Sequence, residues 1–225
     1  MPIGVPDLVP FPDDPVEMSF LVPYYRSVKI YGELCNLNQR ISMLHPDVLA
    51  ILHHLAAGGL NVLELGPYTG GSTIAMAWGA KSQPDGQRVT SVEMGGSYQH
   101  ASHGTDDILR DLALNLAAHG VADLVRVVPG NSRDQSVVAA VAADVPRGGY
   151  GLFFLDTDGR VADDFRIYRE MLAARAYIVI DDYFAPGAPW KVGPTRQAIE
   201  DLVGTRQVVG LGVYGWGTWV GRLAS

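Results

Sequence analysis

The chain has 225 residues, is 48% hydrophobic and 18% charged, and carries a net charge of −7. That composition supports a sizeable core and excludes a disordered chain. The acidic balance, with no basic stripe, argues against a protein that grips the phosphate backbone of a nucleic acid. The lone cysteine, Cys35, rules out an internal disulfide and fits a reducing compartment. The first residues, MPIGVPDLVPFPDDP, lack the basic-then-apolar pattern of a secretory signal. No apolar stretch reaches the roughly 18 residues of a membrane span. A soluble, cytoplasmic protein with no membrane partner is expected.

Residues 1–16 carry five prolines and are expected to be irregular. Such a proline-rich start can mediate a homodimer. Residues 17–43 suit one or two short helices. HPDVLAILHHLAAGG (45–59) reads as a helix, with Pro46 in its first turn and Gly58-Gly59 at its end. An alternation follows. NVLEL is a short apolar strand and STIAMAWGA a short helix. RVTSVE (88–93) is a strand introduced by the turn signal PDGQ. DDILRDLALNLAAHG (106–120) is a helix with Leu109, Leu112 and Leu116 on one face. LVRVVP is a strand, DQSVVAAVAAD a helix, YGLFFLD (150–156) a strand, VADDFRIYREMLAA a helix, AYIVID (176–181) a strand and PTRQAIEDLVG a helix. Strict alternation implies parallel crossovers and a doubly wound α/β sheet. RQVVGLGVYGWGTWVGRLA breaks the pattern: two β-rich runs with no room for a helix form a hairpin, so the last strand runs antiparallel to its neighbours.

In an open α/β sheet, ligands bind at the carboxyl ends of the strands, near the switch in strand order. The polar residues there are Glu64 with Gly66, Gly70 and Gly71; Glu93; Asn131 and Ser132; Asp156 and Asp158; and Asp181 and Asp182. One aspartate at a strand end is ordinarily just solvated. A set spread over neighbouring ends reads as a site, because functional groups concentrate on such loops. The turn in VLELGPYTGGST (62–73) is not G-x-G-x-x-G: Pro67 follows Gly66, and the second close glycine is missing. A pyrophosphate has a poorer cradle here. The helix that follows still offers free N–H groups and a positive dipole end, which suit a carboxylate. Glu93 is placed to accept hydrogen bonds from two ribose hydroxyls, a feature shared with NAD proteins. The implied ligand is a nucleoside bearing a carboxylate.

VLELGPYTGGST, VTSVE, LFFLDTDG and YIVIDDY, followed by the hairpin, resemble the class I S-adenosylmethionine-dependent methyltransferases over roughly residues 40–223. The resemblance implies a Rossmann-like seven-stranded sheet with its antiparallel last strand inside. Residues 1–44 would form an irregular and helical cap, and 45–225 the S-adenosylmethionine-binding domain. Gly66 to Gly71 would wrap the methionine part of the cofactor. Glu64, Pro67, Tyr68, Ser72 and Met94 would border it, Glu93 would hold the ribose, and Asn131 and Ser132 would lie near the adenine.

Asp156, Asp181 and Asp182 match the carboxylate positions of metal-dependent small-molecule O-methyltransferases, the catechol type and the sugar-modifying natural-product enzymes. Carboxylates converging at adjacent strand ends repel one another. They stay ionised together only with a cation among them; otherwise some take up protons. An all-oxygen set suits Mg²⁺ or Ca²⁺ better than zinc. Mg²⁺ there would lower the pKa of an acceptor hydroxyl, and transfer would be a direct displacement.

Many relatives with the DDY signature carry DGDH after the fourth strand. This chain has DTDG, with Gly159 at the histidine position. The candidate bases are then His100 and His103 in SYQHASHGTDD, Lys191 in APWKVG, and Asp156. Asp158 would complete the metal shell or contact substrate. LHPD holds the His-x-Asp spacing of iron oxygenases but fits a helix start. His53, His54 and His119 read as surface or helix-end groups, Trp216 and Trp219 as hairpin packing, and Met43 as core or cofactor contact. The expected activity is Mg²⁺-assisted methyl transfer to a hydroxyl of a small-molecule acceptor. The acceptor pocket would be built by residues 1–43, 157–163 and 183–193, whose aromatic content suggests a planar or apolar acceptor. The alternatives are a metal-free N-methyltransferase, an NAD(P)-dependent Rossmann oxidoreductase, and a protein that binds the cofactor without catalysis.

Overall fold

Seven strands form one sheet in the order β3-β2-β1-β4-β5-β7-β6. They are β1 (Val62–Leu65), β2 (Val89–Glu93), β3 (Val125–Pro129), β4 (Tyr150–Leu155), β5 (Leu172–Ile180), β6 (Val208–Tyr214) and β7 (Thr218–Leu223). The helices are α1 (Pro15–Tyr25), α2 (Ile30–Arg40), α3 (Pro46–Ala57), α4 (Gly71–Ala80), α5 (Ile108–Ala118), α6 (Gln135–Ala142), α7 (Val161–Tyr168) and α8 (Pro189–Gly204). The computed structural model describes residues 11–81, 88–184 and 189–224. The proline-rich residues 1–10, the turn signal at 84–87 and residues 185–188 of the expected acceptor loop lie outside them. Among the described residues, no helix is long and apolar enough to cross a membrane.

The sheet is parallel except at β7, which lies antiparallel between β5 and β6. The hairpin read from the sequence therefore ends inside the sheet, as the family resemblance implied. β1 and β4 are buried at every position, which explains their continuous apolar runs. Their side chains alternate between faces. Val62, Leu152 and Phe154 pack in a core with α3 and α4, whereas Leu63, Leu65, Phe153 and Leu155 pack in a second core with α7 and α8. Strand order reverses between β1 and β4, which opens a crevice at their carboxyl ends.

Three boundaries differ from expectation. β5 begins at Leu172 and not at 176, and the preceding helix stops at Tyr168, followed by a short 3₁₀ turn, Arg169–Met171. LAARA favours helix locally, but Leu172 pairs with Tyr150, and a register shift next to that pair takes up the extra residues. α8 begins at Pro189, with Pro194 inside it. On α5 the buried stripe is Ile108, Leu112 and Leu116, with Leu109 only half-buried.

The N-terminal helices are pinned to α3 by buried polar groups. Asp47 accepts two hydrogen bonds from Arg26, at 3.1 and 2.6 Å, and one from the Tyr31 hydroxyl at 2.6 Å. His45 caps α3 by accepting from the Asp47 N–H at 3.1 Å. The LHPD segment is thus a helix start and not an iron motif. His53 and His54 are not surface groups: Tyr25 is buried, its hydroxyl needs partners, and His53 Nδ1 lies 3.0 Å and His54 Nδ1 3.5 Å away. His119 caps the end of α5. Trp219 is buried in the hairpin, whereas Trp216 is exposed with its edge against His45.

Burial, reinforced by neighbouring His54, lowers the His53 pKa from 6.5 to about 4. As pH falls below 6.5 the unfolded chain takes up this proton first, so the stability contributed by neutral His53 is complete above pH 6.5 and lost toward pH 4. The expected outcome in urea titrations followed by circular dichroism is a loss of up to about 2 kcal/mol from this group between pH 7 and 5. His53→Gln, which keeps an acceptor for Tyr25 but does not titrate, should flatten that slope.

Candidate active site

The carboxyl ends of β1, β2, β3 and β4 surround a cavity of about 500 Å³, whose walls include Gly66, Tyr68, Glu93, Asn131, Asp156 and Lys191. Each glycine of the turn after β1 admits protein. A Cβ on Gly66, at φ +84°, would stand 2.0 Å from the Asp156 carbonyl oxygen. One on Gly71 would stand 2.2 Å from Ser42 Cβ, and one on Gly70 2.8 Å from Leu112 Cδ1. The turn is thus squeezed between the tip of β4, α5 and the segment before α3. Gly66 and Tyr68 reach the cavity wall; Pro67, Gly70, Gly71 and Ser72 do not.

Tyr68 has φ 54°, a conformation uncommon for a non-glycine residue. Its N–H donates to Glu93 Oε2 at 3.0 Å, and the Gly95 N–H donates to Oε1 at 2.8 Å. Glu93 is thereby fixed at the tip of β2, facing the cavity. Burial raises its pKa, against the opposing pull of those N–H groups. Beside it, Met94 and Asn131 line the same wall, and Ser132 joins them from the loop after β3.

Glu64 is different. It has no solvent exposure and accepts hydrogen bonds from the hydroxyls of Ser72, Thr73 and Ser91, the last two at 2.6 Å. It joins β1, β2 and α4 from inside and does not line the cavity, and with Ser72 it forms a buried node.

β4 and β5 are paired neighbours, so Asp156 at one tip meets Asp181 and Asp182 at the other. One oxygen from each lies within 4.8 Å of the others. Asp182 has φ 61°, a strained setting at the strand end. Thr218 on β7 donates its hydroxyl to Asp181 Oδ1 at 2.5 Å. From α8, Lys191 Nζ stands 3.0 Å from Asp182 Oδ2 and 3.9 Å from Asp156 Oδ1. Burial and then repulsion from Asp181 push Asp156 well above the usual carboxylate range, and burial raises Asp181 as well. Burial pulls the Lys191 pKa down, but the surrounding acids outweigh it and raise it. Lys191 thus stands as a cation paired with Asp182 and Asp156.

The methyltransferase domain family matches residues 63–183, a span that holds the glycine turn, Glu93 and all three aspartates. The chain belongs to this family. The resemblance read from the sequence is borne out, and the nicotinamide oxidoreductase alternative falls. No curated protein matches the methyltransferase. Among solved structures it is similar to the O-methyltransferase TomG from Streptomyces achromogenes, involved in tomaymycin synthesis and solved with S-adenosylmethionine, at 18% identity, TM-score 0.61, covering 92% of this chain and 96% of that one. An O-methyltransferase from Bacillus cereus in complex with S-adenosylhomocysteine aligns at 17% identity and TM-score 0.61, covering 92% and 100%. Cofactor-bound Rv0187 from MTB aligns at 22% identity and TM-score 0.63, covering 95% and 98%. These likenesses establish the fold.

His103 is not brought to the acids of the methyltransferase. Its Nε2 lies 3.0 Å from the Asn38 carbonyl, its Nδ1 lies 2.8 Å from the Ser102 hydroxyl, and its own carbonyl accepts from the Tyr68 hydroxyl. It tethers the loop after β2, and His100 braces the same loop by accepting from Ser102 N and His103 N. Asp158 stands apart from the trio, gripped by Arg133 at 2.6 and 3.1 Å. Arg133 also reaches Asp164, a fully buried acid that accepts from Ser132 at 2.9 Å and Thr157 at 3.0 Å. Sequence reasoning missed this link between the loops after β3 and β4. Asp163-Asp164 opens a helix, where acids are ordinary.

Glu64→Ala leaves three buried hydroxyls without their acceptor. The expected outcome in urea denaturation is a loss of roughly 3 kcal/mol, larger than that of Glu93→Ala at the cavity wall.

Proposed function

We propose that the methyltransferase moves the methyl group of S-adenosylmethionine to a hydroxyl of a small molecule, with Mg²⁺ held by Asp156, Asp181 and Asp182. One observation carries this reading: a single cavity joins Glu93 and the Gly66 turn, at one end, to Asp156 of the acid trio at the other. Backbone N–H groups of Tyr68 and Gly95 reach the two Glu93 oxygens, which on this reading also accept from the ribose hydroxyls. Asn131 and Ser132 border the space for the base. Met43, Tyr98 and Trp190, which are 40%, 44% and 64% exposed, wall the cavity and favour a planar or apolar acceptor. TomG and the Bacillus cereus protein, solved with S-adenosylmethionine and S-adenosylhomocysteine, support both the cofactor and the oxygen target.

The acceptor oxygen attacks the methyl carbon. The carbon–sulfur bond breaks, its electron pair returns to sulfur, and S-adenosylhomocysteine leaves as a neutral thioether. With glycine at 159 and His103 tied to Asn38, the hydroxyl proton passes to a carboxylate oxygen of Asp156. Three carboxylates, with no histidine or cysteine in the cluster among the described residues, fit a hard divalent cation. When bound, Mg²⁺ supplies positive charge that lowers the pKa of the acceptor hydroxyl.

Calorimetry should detect S-adenosylhomocysteine binding, and Glu93→Ala should weaken it by at least about tenfold. Binding of NADH with no response to S-adenosylhomocysteine would overturn the reading. Turnover should be lost in EDTA, restored by Mg²⁺, and abolished in Asp181→Ala. Full activity in EDTA would return the trio to the role of base or substrate ligand.

A further inference from the structure

We infer that Lys191 is a tethered counter-cation: its ammonium offsets part of the charge of the acid trio in the metal-free protein, and a divalent ion binds by displacing it. The inference rests on the metal reading above and adds the exchange.

Three carboxylate oxygens within 4.8 Å of one another need a cation between them if they are to stay ionised. The chain supplies one. The ammonium sits 3.0 Å from Asp182 and 3.9 Å from Asp156, on side chains that are 15% and 28% exposed. The Lys191 side chain is itself only 22% exposed, so these pairs are not the loosely solvated contacts of a surface. Its place is also built by the backbone. Gly159 has φ +82°, and a Cβ there would stand 3.2 Å from both the Lys191 Cα and carbonyl oxygen. The turn after β4 is thus cut back to bare backbone where α8 passes, which lets the helix deliver its lysine to the acids.

Lysine and metal compete because they need the same oxygens. Mg²⁺ binds carboxylates at about 2.0–2.1 Å in a strict octahedral arrangement. An ammonium already resting on Asp182 and Asp156 occupies that face. Lysine suits an exchangeable role: it is a point charge on a flexible stem, where arginine would clamp a carboxylate through a fixed fork. The exposed Trp190 ring, its centroid 5.5 Å from Nζ, gives the displaced ammonium a second surface at the cavity rim.

The test measures metal binding directly, by the loss of the free Mn²⁺ electron paramagnetic resonance signal and by calorimetry with Mg²⁺. Lys191→Met, which keeps the stem and removes the charge, should bind Mn²⁺ about tenfold tighter than the natural protein. Lys191→Arg should bind it no more tightly than the natural protein. In the unaltered protein, saturating Mg²⁺ should raise the rate of Lys191 acetylation by a water-soluble acylating reagent several-fold, and leave exposed Lys29 unchanged. This readout stands even if the methionine variant does not fold. Unchanged or weaker metal binding in Lys191→Met, or Lys191 acetylation indifferent to Mg²⁺, overturns the exchange while the metal site stands. Failure of every form to bind millimolar Mn²⁺ overturns the metal reading and the exchange with it.

Discussion

Like charges held together by a parallel strand pair set the terms for this site. Leu155 of β4 pairs with Ile180 of β5, so the next residues along, Asp156 and Asp181, must emerge side by side. The register is fixed by apolar side chains buried on both faces, and a slip of one residue would turn every one of them to the wrong face. The sheet therefore forces the acids together whatever their charge. Thr218 stands on the neighbouring β7 to donate to Asp181, and Lys191 arrives from α8 to pair with Asp182 and Asp156. The antiparallel hairpin and the last helix thus answer an electrostatic demand created by β4 and β5.

The carboxylates at the strand ends share a side chain type and divide by environment. Glu64 lies one residue inside the end of β1, with no water and three hydroxyl donors, and acts as an internal tie. Glu93 is the last residue of β2 and sits at the cavity wall, oriented by two backbone N–H groups. Asp156 lies one residue beyond β4 and meets other acids. A shift of one or two residues relative to the strand end separates a structural node from a cavity-facing group. The turn after β1 shows the same economy. Its glycines admit Asp156, Ser42 and Leu112, and the strained Tyr68 aims its N–H at Glu93.

Much of this was legible in the residues. The alternation of apolar runs and helical stripes set the parallel sheet, and the carboxylates at strand ends located the site, because periodicity and strand-end chemistry are local properties. What escaped was set by distant contacts. LAARA reads as helix until Tyr150 pairs with Leu172. His53 and His54 look like surface groups until Tyr25 arrives from α1. His103 looks like a base until Asn38 takes its ring nitrogen. Arg133 and Asp164 lie far apart in sequence, and only the crossing of two loops makes them a pair. The lysine was visible as a candidate, but its state was not. Its neighbours hold it protonated, and they come from two other strand ends.

Gly159 and the position of Lys191 are geometrically linked. A Cβ at 159 would press to 3.2 Å on the Lys191 backbone and would carry a positive φ, so the bare turn eases the approach of α8 and its cation to the acids. In the proposed exchange, replacing an ammonium by a divalent ion would raise the charge among the three carboxylates by one unit, beside the proposed acceptor hydroxyl. In the lysine-bound state the trio would be less positive by that unit and would favour the protonated hydroxyl. A positively charged sulfonium nearby would gain from the same negative surplus. Under the proposed exchange, the ammonium form would suit a cationic cofactor and the metal form would suit ionising the proposed acceptor.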